Sequence, residues 1–185
     1  MIPAGVNGQA EFGIKAGLNF ADIVMTNYVN PDVESDLTMK LGLHAGFFVN
    51  NQMSDDVSMA AELLYSNKGV KGISNINLHY ITVPLLIQYR LTDHIAAEIG
   101  PEPGYMLAAD SKYGNVANTY NNKFDLALNA GFRFDFQKLL LGLRYSAGVF
   151  SVRAPLENSV YPGEKVKYQN RVLQLSVGYK MWMVE

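Results

Sequence analysis

Ten charged residues sit singly inside stretches that otherwise alternate bulky apolar with small residues: Lys15, Glu62, Arg90, Glu98, Glu102, Asp125, Arg133, Asp135, Arg144 and Lys180. The signs nearly balance. Charges confined to a narrow interior must be paired, because an uncompensated buried ion is expensive. Such a set supports two chemistries. One is a salt-bridge and hydrogen-bond plug that stiffens and closes a lumen, and the other is a polar path for ions or small solutes. The plug is the expectation, since a barrel of about eight strands has barely room for its own side chains.

Other reactive types give weaker signals. His44, His79 and His94 are the side chains whose ordinary titration lies near neutral pH. His79 with Ser66 and Ser74 falls near one rim, and His44 faces inward towards Glu62 on the next strand. Neither set carries a nucleophile-elbow signature, and no histidine pair has metal-ligand spacing. The expectation is no catalytic residue, no metal and no cofactor. Asp22, Asp32, Glu34 and Asp36 lack the regular spacing of a calcium loop and read as solvated surface. Tyr113, Tyr120, Tyr161 and Tyr168, placed in the last two long loops, suit protein or glycan contacts, or packing over the barrel top.

The elements that position these residues are eight alternating stretches joined by connections that run long, short, long, short. Strands are expected at about 11–21, 40–50, 56–66, 78–91, 95–108, 124–136, 139–149 and 173–182. The sixth is the cleanest: Phe124, Leu126, Leu128, Ala130, Phe132, Phe134 and Phe136 alternate with Asp125, Ala127, Asn129, Gly131, Arg133 and Asp135. In the fourth, Thr82, Pro84, Leu86, Gln88 and Arg90 share the inner face; in the last, Gln174, Ser176, Gly178, Lys180 and Trp182 do. Asn67-Lys68-Gly69 is expected to open a loop. The run Gly100-Pro101-Glu102-Pro103-Gly104 is expected to form a bulge, because proline removes a ladder donor.

A soluble barrel also alternates, so side-chain size must decide. Soluble barrels fill their interior with bulky residues and crowd the outside with Lys and Glu. Here the polar face carries Gly13, Gly17, Gly42, Gly46, Gly131, Gly142, Gly148 and Gly178, while the other face is bulky and nearly uncharged over about ten residues per strand. That predicts a transmembrane barrel, with Tyr65, Tyr89, Tyr105, Tyr145 and Tyr179 towards interfacial girdles and both termini periplasmic. The 185 residues fit one such domain over 11–185. Residues 1–10, ending in the small Ala10, read as the tail of a removed export signal or a disordered N-terminus. A net charge of −2 leaves no basic footprint for nucleic acid, and zero cysteines exclude disulfides and thiolate metal sites.

Particular motifs resemble a known group. Gly13-Ile14-Lys15-Ala16-Gly17-Leu18-Asn19, Glu62-Leu63-Leu64-Tyr65-Ser66, Tyr80-Ile81-Thr82-Val83-Pro84-Leu85-Leu86 and Gly100-Pro101 with Gly104-Tyr105 are similar to the OmpA-like or PorT-like outer-membrane β-barrels of the Bacteroidota. The resemblance runs from about residue 11 to the end and departs at the terminus, Met181-Trp182-Met183-Val184-Glu185, where such barrels commonly end on an aromatic residue. It implies an all-β, eight-stranded antiparallel up-and-down barrel in the outer membrane of a Gram-negative envelope. The partners expected are outer-membrane lipid and other envelope proteins met through loops or barrel wall. A non-enzymatic structural or accessory role ranks first, a narrow channel second and a lipid-active enzyme third.

Overall fold

The computed structural model describes residues 10–26, 39–70, 76–111, 114–115, 123–149 and 167–184. They form β1 (Ala10–Thr26), β2 (Lys40–Gln52), β3 (Val57–Val70), β4 (Ile76–Thr82), β5 (Leu85–Thr92), β6 (Ile95–Ser111), β7 (Gly114–Asn115), β8 (Phe124–Phe136), β9 (Leu139–Gly148) and β10 (Lys167–Val184). β1 pairs with both β2 and β10, so the first and last strands close the sheet on itself. β4 and β5 are halves of one strand lying between β3 and β6, and β7 only clips to the end of β6. The result is the expected closed, eight-stranded, antiparallel up-and-down barrel.

Alternation gives the wall its two faces. Along β2, Lys40, Gly42, His44, Phe48 and Asn50 are buried while Leu41, Leu43, Ala45 and Phe47 are exposed. The exposed set is the apolar one: Phe47 keeps 65% of its surface and Leu43 62%. The same inversion runs through Ile87, Ile99, Leu128, Val177 and many others. So large an apolar surface has no place against water. Glycines let the lumen stay narrow. A Cβ on Gly17 would stand 2.0 Å from the Leu175 carbonyl oxygen and 2.6 Å from Cε1 of His44.

The prolines explain the break between β4 and β5. The Pro103 carbonyl accepts the Val83 N–H at 2.8 Å, so Pro103, and Pro101 two residues before it, turn their donorless nitrogens towards that break. The Pro84 carbonyl accepts the Glu62 N–H at 2.9 Å, so its own missing donor faces β3. Three absent N–H groups are thereby gathered at one spot. The bulge expected within Gly100–Gly104 is not there: β6 and β8 pair without a shift from Ile95 to Tyr105. The irregularity comes later, where Leu107 is the extra residue between Met106, opposite Tyr80, and Ala108, opposite His79. It changes the phase of β6, so Ala109 is buried and Asp110 turns outward.

A second bulge corrects the placement of Trp182. Gly13 lies opposite Lys180 and Phe12 opposite Trp182, which leaves Met181 as the extra residue in β10. Trp182 therefore shares the outer face of Phe12 and is 66% exposed instead of pointing inward. Several strands also outrun their expected ends, three of them by four residues or more. β1 reaches Thr26 and takes Asp22 out of the connection, β3 reaches Val70 and absorbs Asn67, Lys68 and Gly69, and β10 starts at Lys167. Tyr168 is accordingly a strand residue opposite Met25. The added residues do not alternate: those of β3 and β10 are largely polar, and those of β1 include the consecutive apolar run Ile23-Val24-Met25, so the two-residue hydrophobic period that would reveal them is missing.

Candidate functional site in the barrel interior

The interior is layered. Near the short turns, Lys180 Nζ sits 2.8 Å from Glu11 Oε1 and 2.7 Å from Asp135 Oδ1, and Arg133 holds Asp135 through Nε and Nη2, both at 2.7 Å. These groups line a polar vestibule of about 380 Å³ together with Asn50, Gln52, Ser58 and His94. Arg90 lines it too, exposed at the rim, and makes no ion pair among the described residues. The sequence pattern puts Arg90 inside the network; its position at the irregular end of β5, next to the Thr92–Ile95 turn, sets it at the mouth instead.

At mid-height the charges close ranks. Arg144 grips Glu62 with both terminal nitrogens at 3.0 and 2.9 Å and gives Nε to Glu98 at 2.8 Å. Lys15 adds a 2.8 Å bond to Glu62. Gln88 links this layer to the vestibule, donating to Glu98 at 3.2 Å and accepting from Arg133 at 2.8 Å. Arg144, Glu62 and Glu98 are 2, 5 and 5% exposed. A residual void of about 20 Å³ beside Lys15 and Glu62 is large enough for one water.

Above this, towards the long connections, Lys68 pairs with Glu102 at 2.9 Å, and Asn129 donates to the other oxygen of Glu102 at 2.8 Å. Asp125 accepts from Asn170 at 3.2 Å. Lys68 is absent from the ten charges that the sequence pattern singles out, because Asn67-Lys68-Gly69 has the composition of a loop opening. The signal available was its even spacing from Glu62, Leu64 and Ser66. Glu11, at the expected start of the first strand, is absent from that set as well. Lys68 also stands 5.4 Å from the ring centroid of Tyr80, which joins Leu78, Met106 and Ala109 in a buried apolar cluster. At the loop-side end Lys40 reaches Oδ1 of Asn77.

The histidines fall on opposite sides of the wall. His44 is buried and bonds Asn19 Oδ1 at 2.8 Å through Nδ1, not Glu62. Ser66 is also inside, accepting from Asn19 at 3.0 Å. His79 lies on the outer face, 2.5 Å from the Tyr65 hydroxyl and 3.5 Å from Asp110 Oδ2. The sheet therefore separates Ser66 from His79. His94 stacks on Phe136 at a short turn. Ser74, Asp32, Glu34, Asp36, Tyr113, Tyr120 and Tyr161 lie outside the described residues. No cluster of three or more potential metal ligands of the His, Cys, Asp and Glu types occurs among the described residues.

A family model described as an outer membrane protein beta-barrel domain matches residues 7–153. No curated protein matches the chain. Among solved structures, Ail, the attachment invasion locus protein of Yersinia pestis, is similar at 13% identity, with 94% of this chain and 99% of that chain covered and a TM-score of 0.53. Neisserial surface protein A is similar at 13% identity, covering 92% of this chain and 97% of its own, with a TM-score of 0.58. At such identities the likeness is one of fold.

Proposed function

This chain belongs to the outer membrane protein β-barrel domain family, and from that premise we propose a non-enzymatic, non-conducting barrel that serves an envelope complex as a structural or accessory component. The observation that carries the reading is the mid-height layer. Arg144, Glu62, Glu98 and Lys15 bond to one another across the lumen and leave beside them a void of only about 20 Å³. A solute entering the 380 Å³ vestibule meets that layer and would have to break several charge-assisted bonds to pass.

The outer face supports contact with outer-membrane lipid, since Leu43, Phe47, Ile87 and Leu128 project where no polar partner meets them. Short connections and both ends of the sheet lie together, which supports periplasmic termini. The partner surfaces are then the loops or the wall, and the PorT-like resemblance of the sequence suggests work beside secretion or assembly machinery. Among the described residues the sheet wall keeps Ser66, inside, apart from His79 and Asp110 on the outer face, which supports a non-enzymatic role.

Planar-bilayer recording tests the plug. Wild-type protein should give no conductance steps, whereas Glu62→Ala combined with Arg144→Ala should give them. Steps from the wild-type barrel would replace this reading with a narrow channel for ions or small solutes.

A further inference from the structure

The polar vestibule near the short turns, at about 380 Å³, has the size of a small-ligand pocket. Deep in it the charges are spent: Lys180 and Arg133 answer Glu11 and Asp135. At the mouth they are not. Arg90, Asp56 and Asp93 line the opening, exposed, and make no ion pair among the described residues. One acceptor inside is also vacant. Asn50 lines the cup and is 5% exposed; its amide nitrogen donates to Glu11 at 3.2 Å, while its Oδ1 accepts no hydrogen bond. A buried amide oxygen left without a donor is costly, so the position suits a ligand N–H.

The strand register sets the spacing of these groups. Asn50 lies opposite Ala60, and Ala60 lies opposite Leu86, which precedes Arg90 by four positions on β5. At roughly 3.3 Å per residue, Arg90 therefore starts about 13 Å nearer the mouth than Asn50, measured along the strands. An arginine side chain folded inwards spans part of that depth. Two or three extended residues, at about 3.5 Å each, span the rest.

We infer that the vestibule binds a short zwitterionic peptide of about two or three residues, with its carboxylate on Arg90 and its amino end on Asn50 Oδ1. The guanidinium matches a carboxylate in two-point geometry. Asp56 and Asp93 beside it turn away ligands that are anionic overall, so a carboxylate must bring a positive group of its own. Arg133 and Lys180 likewise oppose a bare cation in the cup. Glu11, already on the Asn50 amide, stands next to the place of the ammonium. Binding needs the vestibule alone and does not depend on the mid-height layer staying closed.

Isothermal titration of the refolded full chain, in a polyoxyethylene detergent that carries neither charge nor sugar, tests the site with dialanine and trialanine as probes. At least one of the two should bind saturably at one site per barrel. Arg90→Gln, which removes a side chain that has no ion pair, should weaken binding by about tenfold or more. Amidating the peptide's carboxylate or acetylating its amino end should weaken binding to the wild type similarly. Absence of saturable binding by both peptides, undiminished binding of the amidated peptide, or an unchanged affinity in Arg90→Gln overturns the inference. Binding of maltose as tight as that of the peptides would make this a site for neutral sugars and overturns it too.

Discussion

Arg144 and Glu62 are 82 positions apart in the chain and meet in the middle of the barrel as a two-point fork, Nη1 to Oε2 at 3.0 Å and Nη2 to Oε1 at 2.9 Å. The fork spans the lumen instead of running along the wall. It therefore ties β9 to β3, strands that share no pairing in the sheet.

Removing one partner leaves the others stranded. Arg144→Met should destabilise the folded barrel by about 3–5 kcal/mol, since Glu62 and Glu98 would be buried with too little positive charge. Adding Glu62→Gln to that variant should restore part of the loss. Urea unfolding in detergent, followed by the change in gel mobility between folded and heated protein, measures both.

Lys68 and Glu102 make a separable test in the next layer. Lys68→Met should weaken the fold through the carboxylate it uncovers, and Lys68→Met with Glu102→Gln should recover stability. Because the pair does not bridge to Arg144, its effect and that of Arg144→Met should add to within roughly 0.5 kcal/mol if the layers are independent. A large coupling energy in the double-mutant cycle would show one network where two are described.

Gly46 and Ala45 are chain neighbours on opposite faces. A Cβ on Gly46 would fall 1.9 Å from the Leu63 carbonyl oxygen, so Gly46→Ala should cost about 1–3 kcal/mol through forced backbone shifts. Ala45→Val adds more volume but to the outer face, and should be nearly silent. Refolding yield into lipid vesicles compares the two directly.

Depth along β9 should set the cost of a charge on the outer face. Leu143→Arg, midway along the strand, should cost about 2–4 kcal/mol, and Leu139→Arg, beside the Gln137–Lys138 turn, about 0–1 kcal/mol. Equal costs at the two positions, measured by denaturant titration in vesicles, would argue against a membrane-embedded face.

The sequence by itself determined the period, the sidedness and the strand count. Phe124 to Phe136 alternates so regularly that its two faces come from the pleat alone, and glycine against phenylalanine tells which face is crowded. The local pattern does not encode phase after an inserted residue. Met181 and Leu107 each reverse the facing of the residues beyond them, which is why Trp182 turned outward and Ala109, not Asp110, is the buried residue near the end of β6. Nor could it reveal partners across the lumen. Glu62 had two cations within reach of its inward phase, and only closure of β1 on β10 brought Lys15 and Arg144 to it together. Pairing inside a barrel depends on which strands face each other through the interior, and that is settled by closure and stagger, not by the residues next door in the chain.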